Sequence, residues 1–534
     1  MTWRILLCAT VSAAAISCAT APEIAPRRSL QLVPCVVPKS EQQVLCGRHA
    51  VFEDRAADTG RRVVLNVVVA PALTTTPRPD PVFVLVGGPG IGAATTVRGD
   101  SELLSAQFRR ERDIVFVDQR GTGASNRQAC AFGDAAALQT GFNDLFPVER
   151  IRACREALAS VADVRLYTTP IAMDDLDEIR AALGYSTINL YGVSYGSQAA
   201  LQYLRQHPTH VRSVALAGVT TPAAKQPLHF APAAQEALDQ LTHACAADAP
   251  CRQAFPNFKS ELDALLASLD RMPATFELAN PATGLPESIR MSRGVFVERL
   301  RLMLYEPHGA SRVPLLVHRA ARGDWLPFAR LTPTGVAAGV SAMYLTVTCA
   351  ETAARITEAD ILRETRNTFV GDYRTRTHLH ACEAWPKAQV PPSYFEPVRA
   401  DVPVLLLSGE LDGATPSRIA AEAARSLPKS RHVLVPNTGH AYWYPCPAAI
   451  VAEFFAKGSA SDLDLACIQT IRRPPFVIDL PRSDPEPQRF LSRTSSSGAD
   501  HGYGSISMSA GSSTRGPMPL GQMYWKIGAM RTRS

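Results

Sequence analysis

Apolar runs and mixed polar segments alternate along the first part of the chain. Continuous apolar runs rich in β-branched residues predict buried strands, at residues 63–69, 81–86, 113–117, 186–191 and 211–216. Helical patterns lie between and after them, at residues 148–160, 173–183 and 197–206. Because buried strands that alternate with amphipathic helices form a sheet covered on both faces, this part predicts an α/β fold with a mostly parallel central sheet.

The pattern changes near residue 222. From there to about residue 400 the patterns are mainly helical, with many proline breaks, and buried strands return only at residues 402–407 and 431–435. A connection of this length is far too long for a loop. The sequence therefore predicts a helical cap inserted into one sheet, with a core at 35–220, the cap at 221–400 and the rest of the core at 401–483.

The two ends of the chain differ from the predicted core and cap. Residues 1–21 resemble an export signal, with Arg4 before an apolar run at 5–16 that is too short to span a bilayer. Cleavage after Ala21 and lipidation of Cys18 as a membrane anchor both remain open, and the second is favoured. Residues 22–45 are Pro-rich and predicted to be irregular. Residues 484–534 are rich in Ser, Gly, Arg and Pro and predict a disordered tail.

Composition narrows the class of protein. The 534 residues are 46% hydrophobic and 19% charged, which is enough apolar material for a large core and excludes a disordered chain. The net charge of +6 is small for this length and scattered, so no nucleic-acid partner is predicted.

Cysteine usage favours a protein that is exported to an oxidising compartment. Such a protein would be periplasmic, attached to the outer membrane or secreted. Of the 12 cysteines, Cys8 and Cys18 lie in the signal, and the other ten fall into neighbouring pairs. The sequence has no CxxC motif, and no cluster of carboxylates or cysteines accompanies His378 and His380. No metal or other cofactor is therefore predicted. Ten cysteines permit many connectivities, and buried free thiols with a metal site are the alternative to disulfides. Pairing by neighbourhood gives Cys35–Cys46, Cys130–Cys154, Cys245–Cys251, Cys349–Cys382 and Cys446–Cys467.

One motif carries a candidate nucleophile. Residues 192–196 read Gly-Val-Ser-Tyr-Gly, between a predicted strand and a predicted helix, and this setting presents the Ser194 hydroxyl on a sharp turn. The alternative is a glycine-rich turn with an incidental serine. A serine needs a base to take its proton, and in this arrangement the chain order is serine, acid, histidine.

The acid and the base are expected in loops after the last two strands. Asp412 follows the strand at 402–407, and His440 follows the strand at 431–435. Both loops would lie at the carboxyl edge of the sheet, where ligands bind in open α/β sheets. Glu410 is a rival acid, but Asp412 lies deeper in its loop. The alternatives are a capping aspartate and a core histidine.

A glycine-rich loop could hold an oxyanion. Gly87-Gly88-Pro89-Gly90 follows a strand, and a backbone amide of this loop, with that of Tyr195, would complete an oxyanion hole. Gly88 is the favoured donor over Gly87. The alternative is an ordinary turn.

The ordered motifs resemble the prolyl iminopeptidase-type α/β-hydrolases, in particular the secreted tripeptidyl aminopeptidase-like branch. The resemblance covers roughly residues 35–480 and implies Ser194 as nucleophile, Asp412 as acid, His440 as base and no metal. It also implies cleavage at free peptide N-termini. Val86 stands where prolyl iminopeptidases usually have His, which puts single-proline specificity in doubt. The motifs are GGPG at 87–90, DQRGTG at 118–123, GVSYG at 192–196, SGELD at 408–412 and GH at 439–440.

An aminopeptidase needs an anion for the substrate ammonium group, and Glu351 in the cap is the candidate. The sequence thus predicts an exported serine aminopeptidase acting on small peptides. An esterase or lipase with the same triad, and a non-catalytic hydrolase-fold binding protein, are the alternatives.

Overall fold

A computed structural model describes residues 29–39, 42–97, 101–130, 137–332, 342–440 and 445–480. Eleven strands lie in these residues: β1 Leu32–Val36, β2 Gln43–Phe52, β3 Arg62–Ala70, β4 Val82–Leu85, β5 Ile114–Val117, β6 Ile188–Val193, β7 Val211–Ala217, β8 Ala274–Ala279, β9 Pro286–Met291, β10 Val404–Gly409 and β11 Ser430–Val435. The expected signal, Cys18 and the tail lie outside the described residues.

Seventeen α-helices lie in the described residues, besides short 3₁₀ turns. They are α1 Ala93–Thr96, α2 Ala106–Arg109, α3 Val148–Leu158, α4 Thr169–Ala182, α5 Tyr195–Gln206, α6 Phe230–Ala247, α7 Ala249–Ala254, α8 Phe258–Arg271, α9 Arg293–Met303, α10 Pro307–Ala310, α11 Val313–Ala320, α12 Leu326–Leu331, α13 Ala342–Glu351, α14 Glu358–Thr365, α15 Tyr373–Ala384, α16 Ser417–Ala424 and α17 Pro445–Lys457.

Nine strands form one sheet in the order β1-β2-β3-β5-β4-β6-β7-β10-β11. The pairs from β5 to β11 are parallel, and the pairs β1-β2, β2-β3 and β3-β5 are antiparallel. Alternate residues of a strand face opposite sides, so Val67 and Val69 join the core that includes α4 and α5, while Val68 and Ala70 join the core that includes α17. The predicted mostly parallel sheet is confirmed.

The segment between β7 and β10 forms its own apolar cluster. Helices α6, α8, α9, α11 and α12 pack there around buried residues such as Phe296 and Phe328. The hairpin β8-β9, which the sequence did not predict, also contributes to this cluster. We refer to this segment, residues 221–400, as the cap.

The N-terminal segment corrects one expectation. Residues 22–45 were expected to be irregular, but β1 and the start of β2 lie within them and pair antiparallel, with Cys35 opposite Val44. The structure joins the ten cysteines in the five predicted neighbour pairs. Among the described residues, no helix has the length and apolar character needed to cross a bilayer.

Candidate active site

Ser194 occupies the turn between β6 and α5. Its φ of 57° lies in the left-handed region, which a serine adopts only where the surrounding backbone imposes it. The flanking glycines allow the close approach that this turn needs. A Cβ on Gly192 would lie 2.4 Å from the carbonyl oxygen of Gly196, and a Cβ on Gly196 only 2.0 Å from that of Leu85. The motif therefore forms a sharp strand-to-helix turn that exposes the serine side chain.

The two other predicted residues meet this serine. His440 Nε2 lies 3.0 Å from Ser194 Oγ, and His440 Nδ1 lies 3.0 Å from Asp412 Oδ2. Because an ionised carboxylate only accepts, Nδ1 carries the proton on the side of Asp412. Nε2 is then free to accept the proton of the serine hydroxyl. The three side chains form one hydrogen-bonded chain.

Asp412 is held in its ionised form. Its carboxylate also accepts hydrogen bonds from the amides of Ala414 and Thr415, at 2.8 Å each, and from the Thr415 hydroxyl at 2.7 Å. Burial alone would raise the pKa of this carboxyl, but the charge and hydrogen bond of His440 and the donors of Thr415 outweigh burial and lower it. An ionised acid can orient the imidazole and stabilise its protonated form.

Strand order explains how distant residues come together. Ser194 follows β6, Asp412 follows β10 and His440 follows β11, and these parallel strands all end at the same edge of the sheet. The cap rests on the same edge, since the carbonyl of Tyr305 accepts a hydrogen bond from the His440 amide. The Tyr305 ring also packs edge-on against the imidazole, with 5.2 Å between ring centroids.

The glycine-rich loop lies against the nucleophile. A Cβ on Gly87 would lie 3.0 Å from the Cβ of Ser194, so only glycine leaves the hydroxyl unobstructed there. Gly88 follows with φ of 115°, and Tyr195 is the first residue of α5. Loop and helix start therefore flank the serine, as the expected oxyanion hole at Gly88 and Tyr195 requires. Those two donor roles stay predictions.

The DQRG turn, residues 118–121, holds the segment that follows the glycine-rich loop. The fully buried Asp118 carboxylate accepts hydrogen bonds from the Thr95 amide, the Ala124 amide and the Asn66 side chain, each at 2.9 Å. Thr95 belongs to the segment just after the glycine-rich loop. Asp118 is thus a structural residue that joins β3, the loop after β4 and the loop after β5.

Glu351 is not exposed to the site. Its side chain is fully buried and accepts hydrogen bonds from the amide and hydroxyl of Thr169, at 2.6 and 2.8 Å, from Gln198 at 3.2 Å, and from the Tyr394 hydroxyl. These donors all come from the protein itself. The prediction that Glu351 anchors a substrate ammonium group stays untested, and these contacts do not favour it.

Two residues next to the triad were not predicted. The Thr415 hydroxyl lies near both Asp412 and His440 Nδ1, the latter at 3.1 Å. Its position three residues after the acid is typical of a side chain–backbone turn, a signal that the sequence contained. Tyr305 belongs to the cap, and nothing in the sequence pattern places it against His440.

One group of potential metal ligands lies together among the described residues, away from the triad. Asp177, His207 and His210 meet where α4 packs on the end of α5, but Asp177 already pairs with the Arg180 guanidinium at 2.7 Å. A guanidinium on the carboxylate opposes binding of a second cation. His378, which the sequence offered as a possible ligand beside His380, is buried, and burial lowers its pKa far below the ordinary value.

Comparison with known proteins agrees with this geometry. The profile of the family described as "alpha/beta hydrolase fold" matches residues 80–442, which contain all three residues of the triad. The chain belongs to this family. The expectation of an α/β-hydrolase fold is thereby confirmed.

Individual curated proteins are similar to parts of this chain at low identity. The serine protease Hip1 of Mycobacterium tuberculosis is 27% identical over 229 residues, covering 39% of this chain and 42% of the relative. The putative hydrolase YuaR of Escherichia coli is 28% identical over 41% of this chain and 43% of its own length. A probable proline iminopeptidase of Streptomyces coelicolor is 31% identical over 27% of this chain and 34% of its own length. The chain thus matches less than half the length of these curated relatives.

Proposed function

We propose that this hydrolase is an exported serine aminopeptidase that cleaves peptide bonds near the free N-terminus of small peptides. The observation that carries the proposal is the continuous hydrogen-bonded chain from Ser194 through His440 to Asp412. The names of relatives, a serine protease and a proline iminopeptidase, favour peptides over other acyl substrates.

The geometry supports acyl transfer in two steps. Ser194 Oγ attacks the peptide carbonyl carbon while His440 Nε2 takes the hydroxyl proton, and Asp412 stabilises the imidazolium that results. The amides of Gly88 and Tyr195 would hold the oxyanion, each donor contributing roughly 3–4 kcal/mol to transition-state stabilisation. His440 then gives its proton to the departing amine. Water, deprotonated by the same nitrogen, then attacks the acyl carbonyl carbon. The bond to Ser194 Oγ breaks, and His440 returns the proton to that oxygen.

The cap favours short substrates. Leu304 and Tyr305 pack onto the loops of the acid and the base, since a Cβ on Gly413 would lie 3.3 Å from the carbonyl oxygen of Leu304, and one on Gly439 2.3 Å from that of Tyr305. Access to Ser194 therefore passes beside the cap. A flexible peptide end can enter such a space more readily than a folded protein segment.

Export is supported by the cysteines. Five disulfides in one chain are typical of proteins that fold in oxidising compartments. We propose that the mature protein is periplasmic, attached to the outer membrane through a lipid on Cys18, or secreted. Incorporation of radiolabelled palmitate into the wild type, and its loss in Cys18→Ser, would support the anchor, and equal labelling of both would exclude it.

The activity is tested with matched substrates. A panel of peptide amides is assayed with free and with acetylated amino termini, beside short esters, using Ser194→Ala as the control. We expect free-amine peptides to show at least about tenfold higher kcat/KM, because a charged hydrogen bond to the ammonium group is lost on acetylation. Mass spectrometry of the products counts the residues released. Faster turnover of acetylated peptides or of esters would contradict an aminopeptidase.

A further inference from the structure

A buried carboxylate from the cap contacts α5, the helix that begins at the turn of Ser194. Glu351 is the last residue of α13, and its side chain is fully buried. Thr169, at the start of α4, gives it two hydrogen bonds, and Gln198 on α5 gives it a third. One carboxylate thus ties the cap to both helices that support Ser194.

The network reaches the residue next to the nucleophile. The Tyr195 hydroxyl lies 2.7 Å from Thr169 Oγ1, which lies 2.8 Å from Glu351 Oε2. A hydroxyl has one proton, so when Thr169 donates to an ionised Glu351 it must accept from Tyr195. The charge on Glu351 therefore fixes the direction of the hydrogen bond made by the Tyr195 side chain.

Protonation of Glu351 would reverse this arrangement. Among the described residues, the hydrogen-bond partners of this carboxylate all donate to it in the ionised form: the Thr169 amide and hydroxyl, Gln198, and the Tyr394 hydroxyl. A proton on Glu351 would need one of the two hydroxyls to become its acceptor. If Thr169 accepts, its own proton turns to Tyr195, whose hydroxyl must then find another acceptor inside a buried site.

We infer that Glu351 is a positioning residue that, when ionised, holds Tyr195 and the start of α5 in the arrangement that catalysis by Ser194 requires. The inference rests on the proposed function of Ser194. The ionisable groups that face Glu351 from the packed elements are Tyr195 on α5 and Tyr394 in the turn before β10. Two cations, Arg205 and Arg355, interact electrostatically with Tyr394.

The titration range is suited to such a role. Burial raises the pKa of Glu351 to about 7, against the opposing effect of its hydrogen-bond donors. The carboxylate would thus change its charge near neutral pH. Acidification would then lower activity through Glu351, because protonation removes the charge that fixes the hydrogen bond of Tyr195.

The test is the pH dependence of Ser194 labelling by a fluorophosphonate, compared between the wild type, Glu351→Gln and Tyr394→Phe. Glu53→Gln is the matched control, because Glu53 is also buried and accepts from a tyrosine hydroxyl and a backbone amide, but it bonds neither Thr169 nor Tyr195. We expect a proton-linked step near pH 7 from Glu351 in the wild type and in the control. Glu351→Gln should lack this step and label roughly ten- to a hundredfold more slowly at pH 8.

Tyr394→Phe keeps the carboxylate and removes one donor, so it tests the inference even if Glu351→Gln fails to fold. Loss of that donor should move the Glu351 step to higher pH. An unmoved Glu351 step in Tyr394→Phe, or the same step retained in Glu351→Gln, would overturn the inference.

Failure of the proposed function can be distinguished from failure of the inference about Glu351. If the wild type and Ser194→Ala label equally, the nucleophile is wrong, and unfolding then tests the carboxylate network by itself. Because the folded pKa is raised above the ordinary 4.5, the wild type should lose stability relative to Glu351→Gln as pH rises from about 4.5 to about 7. A pH-independent difference between the two proteins would overturn the network.

Discussion

Ser194 holds a backbone conformation that costs roughly 1–3 kcal/mol for a residue with a side chain. The turn keeps this conformation because the strand before it and the helix after it are both buried. The contacts of Gly87, Gly192 and Gly196 leave no room for a relaxed alternative. The strained backbone of Ser194 is therefore part of the turn that exposes its hydroxyl, which we propose as the nucleophile.

Asp412→Asn tests the role of the acid. The amide keeps the size of the carboxylate but removes the charge that stabilises the imidazolium, and it can present an N–H to His440 Nδ1 and force the wrong tautomer. We expect kcat to fall about 10⁴-fold with little change in KM. Steady-state kinetics on a free-amine peptide measure this.

The rival acid supplies the control for this substitution. Glu410 is exposed and accepts only from the Asn437 amide in the described contacts, at 2.9 Å. Glu410→Gln should therefore change kcat less than about threefold, since surface substitutions have small effects. A large loss in Glu410→Gln beside a mild one in Asp412→Asn would reverse the assignment of the acid.

The sequence predicted that Ser194, Asp412 and His440 lie together, and the structure places their side chains in contact. Ser194, Asp412 and His440 each follow a recognisable buried strand, and parallel strands deliver their carboxyl ends to one edge. Glu351 had no such constraint. Its helix lies in the cap, where the sequence indicates a helix but not what the helix packs against, so its enclosure by Thr169, Gln198 and Tyr394 could not be foreseen.

At the scale of elements, the packing of α4 on α5 has a charged centre. Asp177 on α4 accepts from Arg180, at 2.7 Å, and from the Tyr203 hydroxyl, at 2.7 Å, and lies 2.7 Å from His210 Nδ1. Burial would raise the pKa of Asp177, but these partners lower it below its ordinary value. The cluster lies at the end of α5 opposite Ser194, roughly 18 Å along the helix.

Asp177→Asn should weaken this contact in a pH-dependent way. A carboxyl whose folded pKa is lowered stabilises the fold above its unfolded pKa, near 4, and this contribution is lost as pH falls below that value. We expect the substitution to reduce the free energy of unfolding by about 2 kcal/mol at pH 7. Urea unfolding should show a smaller difference at pH 3. An equal or larger difference at pH 3 would contradict the ionised role.

The elements that sequence reasoning missed share a cause. The edge strand β1 contains Pro34 and leaves Val33 and Val36 exposed, so it has no continuous apolar run. The hairpin of β8 and β9 buries only some positions of each strand and reads as polar. A strand that is buried on both faces has a continuous apolar run, which can be recognised in the sequence. A strand that is buried on one face depends on tertiary packing, which the local sequence pattern does not reveal.

At the scale of the whole molecule, no disulfide joins the cap to the core among the residues that the structure describes. Each of the five disulfides closes a local loop, with sequence separations from 6 to 33 residues. Non-covalent contacts therefore join the two parts. The hydrogen bonds of Glu351 to Thr169 and of the His440 amide to Tyr305 are such contacts. The second involves His440 itself, and the first reaches Tyr195 through Thr169.

The most direct measurement is the site of covalent labelling by a fluorophosphonate, mapped by mass spectrometry after digestion of the full-length protein. The account predicts a single adduct on the peptide that contains Ser194, and no adduct in Ser194→Ala. Labelling of another residue, or equal labelling of the two proteins, would contradict the hydrolase mechanism.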